Sequence, residues 1–218
     1  MSNYFIFIPF RSGSKGLKNK NIKLVSGEPL YFWTLKIARE IGVEIYISTD
    51  YNKNILTHLS DNESFITRSD QFARDETLMS EVISDFIKSE KIINKNIILL
   101  QVTSPLRVKE DILNCITRFE SKKHDLVTTI CKTENNSLKY GFFNDNDFTP
   151  VNSSKFCFSN RQSLPHLFKL TGSVYVFNSD WFLSNNGFET DNIGGVLVDQ
   201  KNSVDIDNLK DINLINKI

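Results

Sequence analysis

"YFIFIPFRSGSKG", Tyr4 to Gly16, sets an unbroken apolar run directly against a small, cationic, hydroxyl-bearing loop. An apolar run without alternation, "YFIFIP", reads as a β-strand buried on both faces, as in parallel sheets. In the loop that follows, Gly13 and Gly16 permit backbone geometries closed to other residues, so amide N–H groups can converge on an anion. Arg11, Lys15 and Lys20 add charge, and Ser12 and Ser14 add donors, a set that suits a polyphosphate. The spacing is neither G-x-x-x-x-G-K-[ST] nor G-x-G-x-x-G. Read by itself, the loop is equally a solvated basic turn.

Outward from this stretch, strand-like and helix-like segments alternate. Leu30, Trp33, Ile37, Ala38 and Ile41 share one helical face, with Pro29 near the start and Gly42 past the end. "VEIYIS" (43–48) and "SFITR" (64–68) read as strands, and a helix is expected from about Leu78 to Glu90. "IILLQV" (97–102) reads as another fully buried strand, Lys109 to Glu120 as a helix, and "DLVTTIC" (125–131) as a strand. This βαβα alternation implies an α/β fold with a mainly parallel sheet and helices on both faces. After Cys131 the text turns aromatic and Asn-rich, the pattern of an antiparallel excursion. "GSVYVF" (172–177) and "GVLV" (195–198) return to strand character, and "NLKDINLINKI" closes as a short helix. The expectation is one domain over 1–218, with an insertion at roughly 137–171.

With 218 residues the chain can bury a full core. Its 26 basic and 26 acidic residues balance, which argues against a general nucleic-acid or membrane-surface binder. No apolar stretch is long enough to span a bilayer, and the N-terminus reads as carrying no signal peptide. Cys115, Cys131 and Cys157 are scattered and fit neither a disulfide framework nor a zinc pattern, so a reduced, cytoplasmic setting is expected.

In open α/β sheets ligands bind beyond the carboxyl ends of the strands, so the polar residues there are the candidates. They are "RSGSKGLKNKN", "STD" (48–50), "RSDQFARDET" (68–77), "QVTSPLR" (101–107) and "VDID" (204–207). Lysine is the default cation of this chain, yet four of its seven arginines, Arg11, Arg68, Arg74 and Arg107, fall in these loops. Arginine's planar fork grips phosphate and carboxylate in two places at once, so an anionic ligand is expected; ion pairs with Asp70, Asp75 or Glu76 are the alternative. If "VDID" is extended, Asp205 and Asp207 project to one face, where two carboxylates repel unless a cation such as Mg²⁺ lies between them. Alternatively, Asp207 or Asn208 caps the last helix. Gln101 ends a very apolar strand, where its amide needs partners: a nucleobase edge or the backbone.

Taken in order, "IPFRSGSKGLKNKNIKLVSGEPL", "ISTD", "RSDQFARDET", "LLQVTSPLR", "NRQSLPHLFKLTGSVYVF" and "VDIDNLKDI" resemble the acylneuraminate cytidylyltransferase family. The resemblance implies a Rossmann-like, mainly parallel sheet with a small antiparallel dimerisation excursion, and hence a homodimer. It implies transfer of CMP from CTP to the anomeric hydroxyl of a nine-carbon 2-keto acid sugar, with Mg²⁺ and release of pyrophosphate. By resemblance Arg11, Gly13, Ser14, Lys15, Lys20 and Asn21 form the phosphate loop, and Arg68 and Ser80 contact the nucleotide. Gln101 holds the sugar acid, Asp205 and Asp207 hold Mg²⁺, and Lys139, Arg161 and Lys169 reach the sugar carboxylate across the dimer. Lys20, Asp205 and Asp207 are the implied catalytic set. The chain departs from the usual pattern at Phe10, at Val102 and at Lys169, which binds as a point charge where arginine is common. The rival expectations are a 3-deoxy-manno-octulosonate cytidylyltransferase and a non-catalytic nucleotide-binding protein on the same fold.

Overall fold

The computed structural model describes residues 1–13 and 16–217. Eleven strands appear in chain order: β1 (Tyr4–Pro9), β2 (Leu24–Val25), β3 (Glu28–Pro29), β4 (Glu44–Thr49), β5 (Glu63–Thr67), β6 (Asn96–Leu100), β7 (Leu126–Thr133), β8 (Gly141–Asn144), β9 (Asp147–Pro150), β10 (Leu167–Asn178) and β11 (Ile193–Leu197). The α-helices are α1 (Leu30–Arg39), α2 (Met79–Ser89), α3 (Lys109–Glu120), α4 (Ser154–Cys157), α5 (Ser179–Ser184) and α6 (Leu209–Ile215).

All of β1 is buried, as its unbroken apolar run requires. Its side chains alternate between two cores. Tyr4, Ile6 and Ile8 enter one, with Leu30 and Leu35 of α1, Ile112 and Ile116 of α3 and Ile212 and Ile215 of α6. Phe5 and Phe7 enter the other, with Val82, Ile83, Phe86 and Ile87 of α2 and Phe182 of α5. Period-two alternation in the strand thus meets 3.6-residue periodicity in the helices on both faces. The rings of Phe7 and Phe86 stack at 4.2 Å between centroids.

Seven strands form the main sheet, in the order β11-β7-β10-β6-β1-β4-β5. β1 pairs in parallel with β4 on one side and β6 on the other. The chain therefore runs outward from β1 through α1 to β4 and β5, then returns through α2 to β6 on the opposite side. That reversal leaves a crevice beyond the carboxyl ends of β1 and β6. β10 is the one strand of this sheet that runs against its neighbours β6 and β7. Its register shifts between Leu170 and Tyr175, at Gly172, whose φ of +74° suits glycine. β7 and β10 are linked by the β8–β9 hairpin, α4 and short 3-10 turns, and the pairing of Leu167 with Thr133 roots this excursion at the crevice end of the sheet.

Among the described residues no helix is long and apolar enough to cross a membrane. Phe7→Ala is expected to lower unfolding free energy by about 3–5 kcal/mol in urea denaturation, because a fully buried ring leaves a cavity between two layers. A loss under about 1 kcal/mol would contradict the packing described.

Candidate functional site

A cleft of about 440 Å³ opens at the crevice. Pro9, Phe10 and Arg11 line it from the end of β1, and Gln101, Val102 and Thr103 from the end of β6. Gly16, Lys20, Asn21, Arg68, Arg74, Thr77 and Asp207 complete its polar rim. Residues that follow β1, β5 and β6 in the sequence, together with Asp207, therefore share one rim; Ser48–Asp50, Arg107 and Asp205 do not line it.

The loop after β1 is pinned at several points. Asp50, just past β4, accepts hydrogen bonds from the Ser12 amide at 2.8 Å and from Ser12 Oγ at 2.5 Å. The buried Asn21 side chain donates to the Arg11 carbonyl at 2.8 Å, so it shapes the loop from beneath. Arg11 pairs with Asp75 at 2.6 Å and donates to the Ala73 carbonyl, so one of the ion pairs expected as an alternative is made while Arg11 still lines the cleft. Lys20 Nζ donates to the Ile206 carbonyl at 2.6 Å and lies 3.3 Å from the Asp207 carboxylate. A Cβ on Gly16 would sit 2.9 Å from the Asp207 carbonyl, so the close approach depends on Gly16. Gly13 lines the adjoining groove, where a Cβ would lie 3.8 Å from Arg11 Nη1. Ser14 and Lys15 lie outside the described residues.

Arg68 is 7 % exposed, and its guanidinium donates to the Ser48 carbonyl at 3.0 Å. Burial pulls its pKa down to about 10, opposed by Asp50 and reinforced by Arg11. A cation held by neutral groups at the edge of a cleft is poised for an anion, which replaces lost hydration with charge-assisted hydrogen bonds. Arg107 differs. At 2 % exposure it is sealed beneath the end of β6, because "TSPLR" doubles back under the strand. It is not part of the anion-facing rim expected of it.

Beside Lys20 stands "VDID". Ile206 is fully buried and its amide donates to the Thr103 carbonyl at 2.8 Å. Asp205 and Asp207 flank it and are exposed, which is the alternation an extended segment requires. Asn208 takes the capping duty: it accepts from the Lys210 amide at 2.8 Å, while Asp211 closes the capping box. The Asp207 carboxylate is left to Lys20. Partial withdrawal from water raises the Asp205 pKa, and the charges of Asp207 and Asp211 raise it further, against a Thr103 hydrogen bond and Lys20. No cluster of three or more His, Cys, Asp or Glu occurs among the described residues, so a cation at this segment would need oxygens of a bound substrate besides Asp205 and Asp207. The all-oxygen donor set of two mutually repelling carboxylates fits Mg²⁺.

Other expected residues lie elsewhere. Ser80 is not among the cleft-lining residues; it faces a shallow groove on the outer side of α2 and abuts Gly187. Arg161 and Lys169 line a second cleft of about 650 Å³ with Lys132, His166 and Gln200, and this cleft shares no residue with the first. Lys139 donates to the Ser159 carbonyl at 2.6 Å within the excursion. None of the three histidines lines the first cleft. Thr77, Thr103 and Asp50 carry no implied role of their own, although each lies in a segment quoted for the resemblance, "RSDQFARDET", "LLQVTSPLR" and "ISTD".

A cytidylyltransferase family model matches residues 5–190. The chain belongs to the cytidylyltransferase family. It is 29% identical over 210 residues to N-acylneuraminate cytidylyltransferase of Streptococcus agalactiae serotype V, covering 94% of this chain and 50% of that one. It is 28% identical over 222 residues to CMP-N,N'-diacetyllegionaminic acid synthase of Campylobacter jejuni, covering 99% of this chain and 94% of that one. The chain spans about half the length of several curated cytidylyltransferases that it matches. Among solved structures, CMP:2-keto-3-deoxy-manno-octonic acid synthetase complexed with CTP superposes with a TM-score of 0.73 at 15% identity, covering 99% of this chain and 98% of that one. That likeness shows a Rossmann-like fold, in agreement with the expected α/β class.

The cationic cleft is expected to bind inorganic tripolyphosphate in calorimetric titration. Arg68→Met should weaken that binding about tenfold, equivalent to about 1.4 kcal/mol. Unchanged affinity would remove Arg68 from the anion site.

Proposed function

We propose that this cytidylyltransferase activates a nine-carbon 2-keto acid sugar, a sialic acid or related nonulosonate, with CTP. The products are the CMP-sugar and pyrophosphate. The observation that carries this reading is the convergence of Arg11, Lys20 and Arg68 on the β1/β6 crevice, with Asp207 beside Lys20. The relatives named N-acylneuraminate cytidylyltransferase and CMP-N,N'-diacetyllegionaminic acid synthase support the choice of sugar class.

In this mechanism the triphosphate lies along the β1 loop. Arg11, Lys15, Lys20 and Arg68 neutralise its oxygens, Ser14 donates a hydrogen bond, and Gly13 and Gly16 keep the backbone close. Asn21 supports the loop through the Arg11 carbonyl. Gln101 holds the sugar acid so that its anomeric hydroxyl oxygen faces the α-phosphorus. That oxygen bonds to the α-phosphorus as the bond to the pyrophosphate oxygen breaks, and the hydroxyl proton passes to an aspartate or to water. Charge grows on the departing pyrophosphate, where Lys20 and Arg11 stand, so positioning and electrostatics supply most of the acceleration. Mg²⁺ held by Asp205 and Asp207 would supply Lewis-acid neutralisation of the triphosphate and a lower pKa for the attacking hydroxyl. Ser80 would reach the nucleotide only if the start of α2 moved.

The same reading makes the protein a homodimer through the 137–171 excursion. Phe142, Phe143 and Phe148 of the β8–β9 hairpin are exposed, and Phe158 is 91 % exposed, a patch suited to burial against another surface. Arg161 and Lys169, with Lys139 behind them, would meet the sugar carboxylate in the partner's cleft. Their separation from the first cleft within one copy agrees with a role in trans.

Pyrophosphate release is expected with CTP, Mg²⁺ and at least one acid of a panel holding several nonulosonates and 3-deoxy-manno-octulosonate. No release with any of them, together with no CTP binding, would refute the reading; a preference for the octulosonate would redirect it. Asp207→Asn should cut turnover at least about tenfold without unfolding the protein. Coexpressing Asp207→Asn and Arg161→Ala chains should yield more activity than either variant alone, because a mixed dimer restores one intact site. No recovery in an isolated mixed dimer would place Arg161 in cis.

A further inference from the structure

Arg107 is the most deeply buried cation among the described residues. Its Nε donates to the Ser173 carbonyl at 3.1 Å and to Ser173 Oγ at 2.9 Å. Its Nη1 donates to Thr34 Oγ1 at 3.2 Å, and its Nη2 donates to the Gln101 carbonyl. Every one of these acceptors is neutral; the buried Asp111 carboxylate acts on the guanidinium through its charge, but no carboxylate among the described residues forms a direct ion pair with it. Sealing a guanidinium among neutral acceptors costs stability that an apolar side chain would not, so packing alone is a poor reason for it.

The acceptors come from three elements: α1, the residue just past β6, and β10 at its irregularity. Gln101 is held from both sides. Its amide donates to the Ser173 carbonyl at 3.4 Å, and its carbonyl accepts from Arg107 and, at 3.4 Å, from Thr34. Its side chain, by contrast, lines the cleft and makes no hydrogen bond to a described residue. The backbone clamp is what aims it. Ser173 in turn sits beside a buried polar cluster: its amide donates to Thr171 Oγ1, which lies 2.6 Å from Thr129 Oγ1. That cluster braces the strand where it enters from the excursion.

We propose that Arg107 is a positioning residue for the acid-sugar side of the reaction, fixing the Gln101 backbone and tying it to the base of the excursion through Ser173. The inference rests on the proposed reaction for the identity of the two substrates. Lysine cannot replace the fork, since its single nitrogen cannot span all three acceptor groups.

Steady-state rates with CTP and the best acid sugar of the panel, together with calorimetric CTP binding and thermal melts, test this in the full chain. Arg107→Met is expected to raise KM for the sugar at least about tenfold while the CTP Kd stays within about twofold. Arg107→Lys should recover part of the loss. Thr34→Val and Ser173→Ala keep the guanidinium and remove one acceptor each; each should raise the sugar KM about two- to threefold with the same selectivity. If Arg107→Met does not fold, these two variants decide on that split. Lower melting temperatures with both substrate constants at wild-type values, or equal losses for CTP and sugar, would overturn the positioning role. A wild-type protein inactive with every acid sugar would instead defeat the reaction itself, and this inference with it.

Discussion

A strand with no water-facing side constrains everything around it. β1 has six buried residues, so it needs a helical layer on each face and a strand at each edge. Parallel neighbours on both edges mean that the chain reverses its direction of travel at β1. The reversal opens the crevice, and the crevice receives whatever polar loop leaves the end of β1. The apolar run and the cationic loop are therefore parts of one solution: the first fixes a rigid floor, and the second stands where backbone amides and side chains have no sheet partner.

The second constraint is electrostatic. Within the cleft, Arg68 and Lys20 are partly withdrawn from water, and Asp207 stands beside Lys20. Arg68 is tied to neutral backbone, while Lys20 is shared between the Ile206 carbonyl and Asp207. Such a site is balanced but incompletely satisfied. A polyphosphate adds acceptors for the cations, and a divalent cation relieves the repulsion between Asp205 and Asp207. The Lys20 clasp and the close approach at Gly16 join the first loop to the segment before the last helix, so the site closes only when both ends of the chain are in place.

Much of this was legible from residue pattern. α3 spans Lys109–Glu120 as its periodicity indicates, and β1 spans Tyr4–Pro9. The strand-end rule brought Arg11, Lys20, Asn21, Arg68, Gln101 and Asp207 to one cleft. Where pattern misled, the residue type was right and its direction was not. Arg68 and Arg107 both follow strands in polar loops, yet one edges the cleft and the other is sealed under it. Ser80 is beside cleft-lining Met79 in sequence but faces another groove, because adjacent residues on a helix point about 100° apart. Gly13 and Gly16 look alike in the loop, and only the second meets another segment's backbone.

What the sequence determined by itself was local and periodic: the α/β class, the order of elements, the buried strands and the loops able to carry charge. These follow from period-two and 3.6-residue patterns and from the conformational limits of glycine and proline, which act over a few residues. The tertiary structure alone decided which of two similar arginines edges the cleft, which glycine permits a close approach, and that β10 enters antiparallel between β6 and β7. It also decided that Asn208, and not Asp207, caps the last helix. Those outcomes depend on contacts between segments tens to nearly two hundred residues apart, whose burial and hydrogen-bond partners no local pattern encodes.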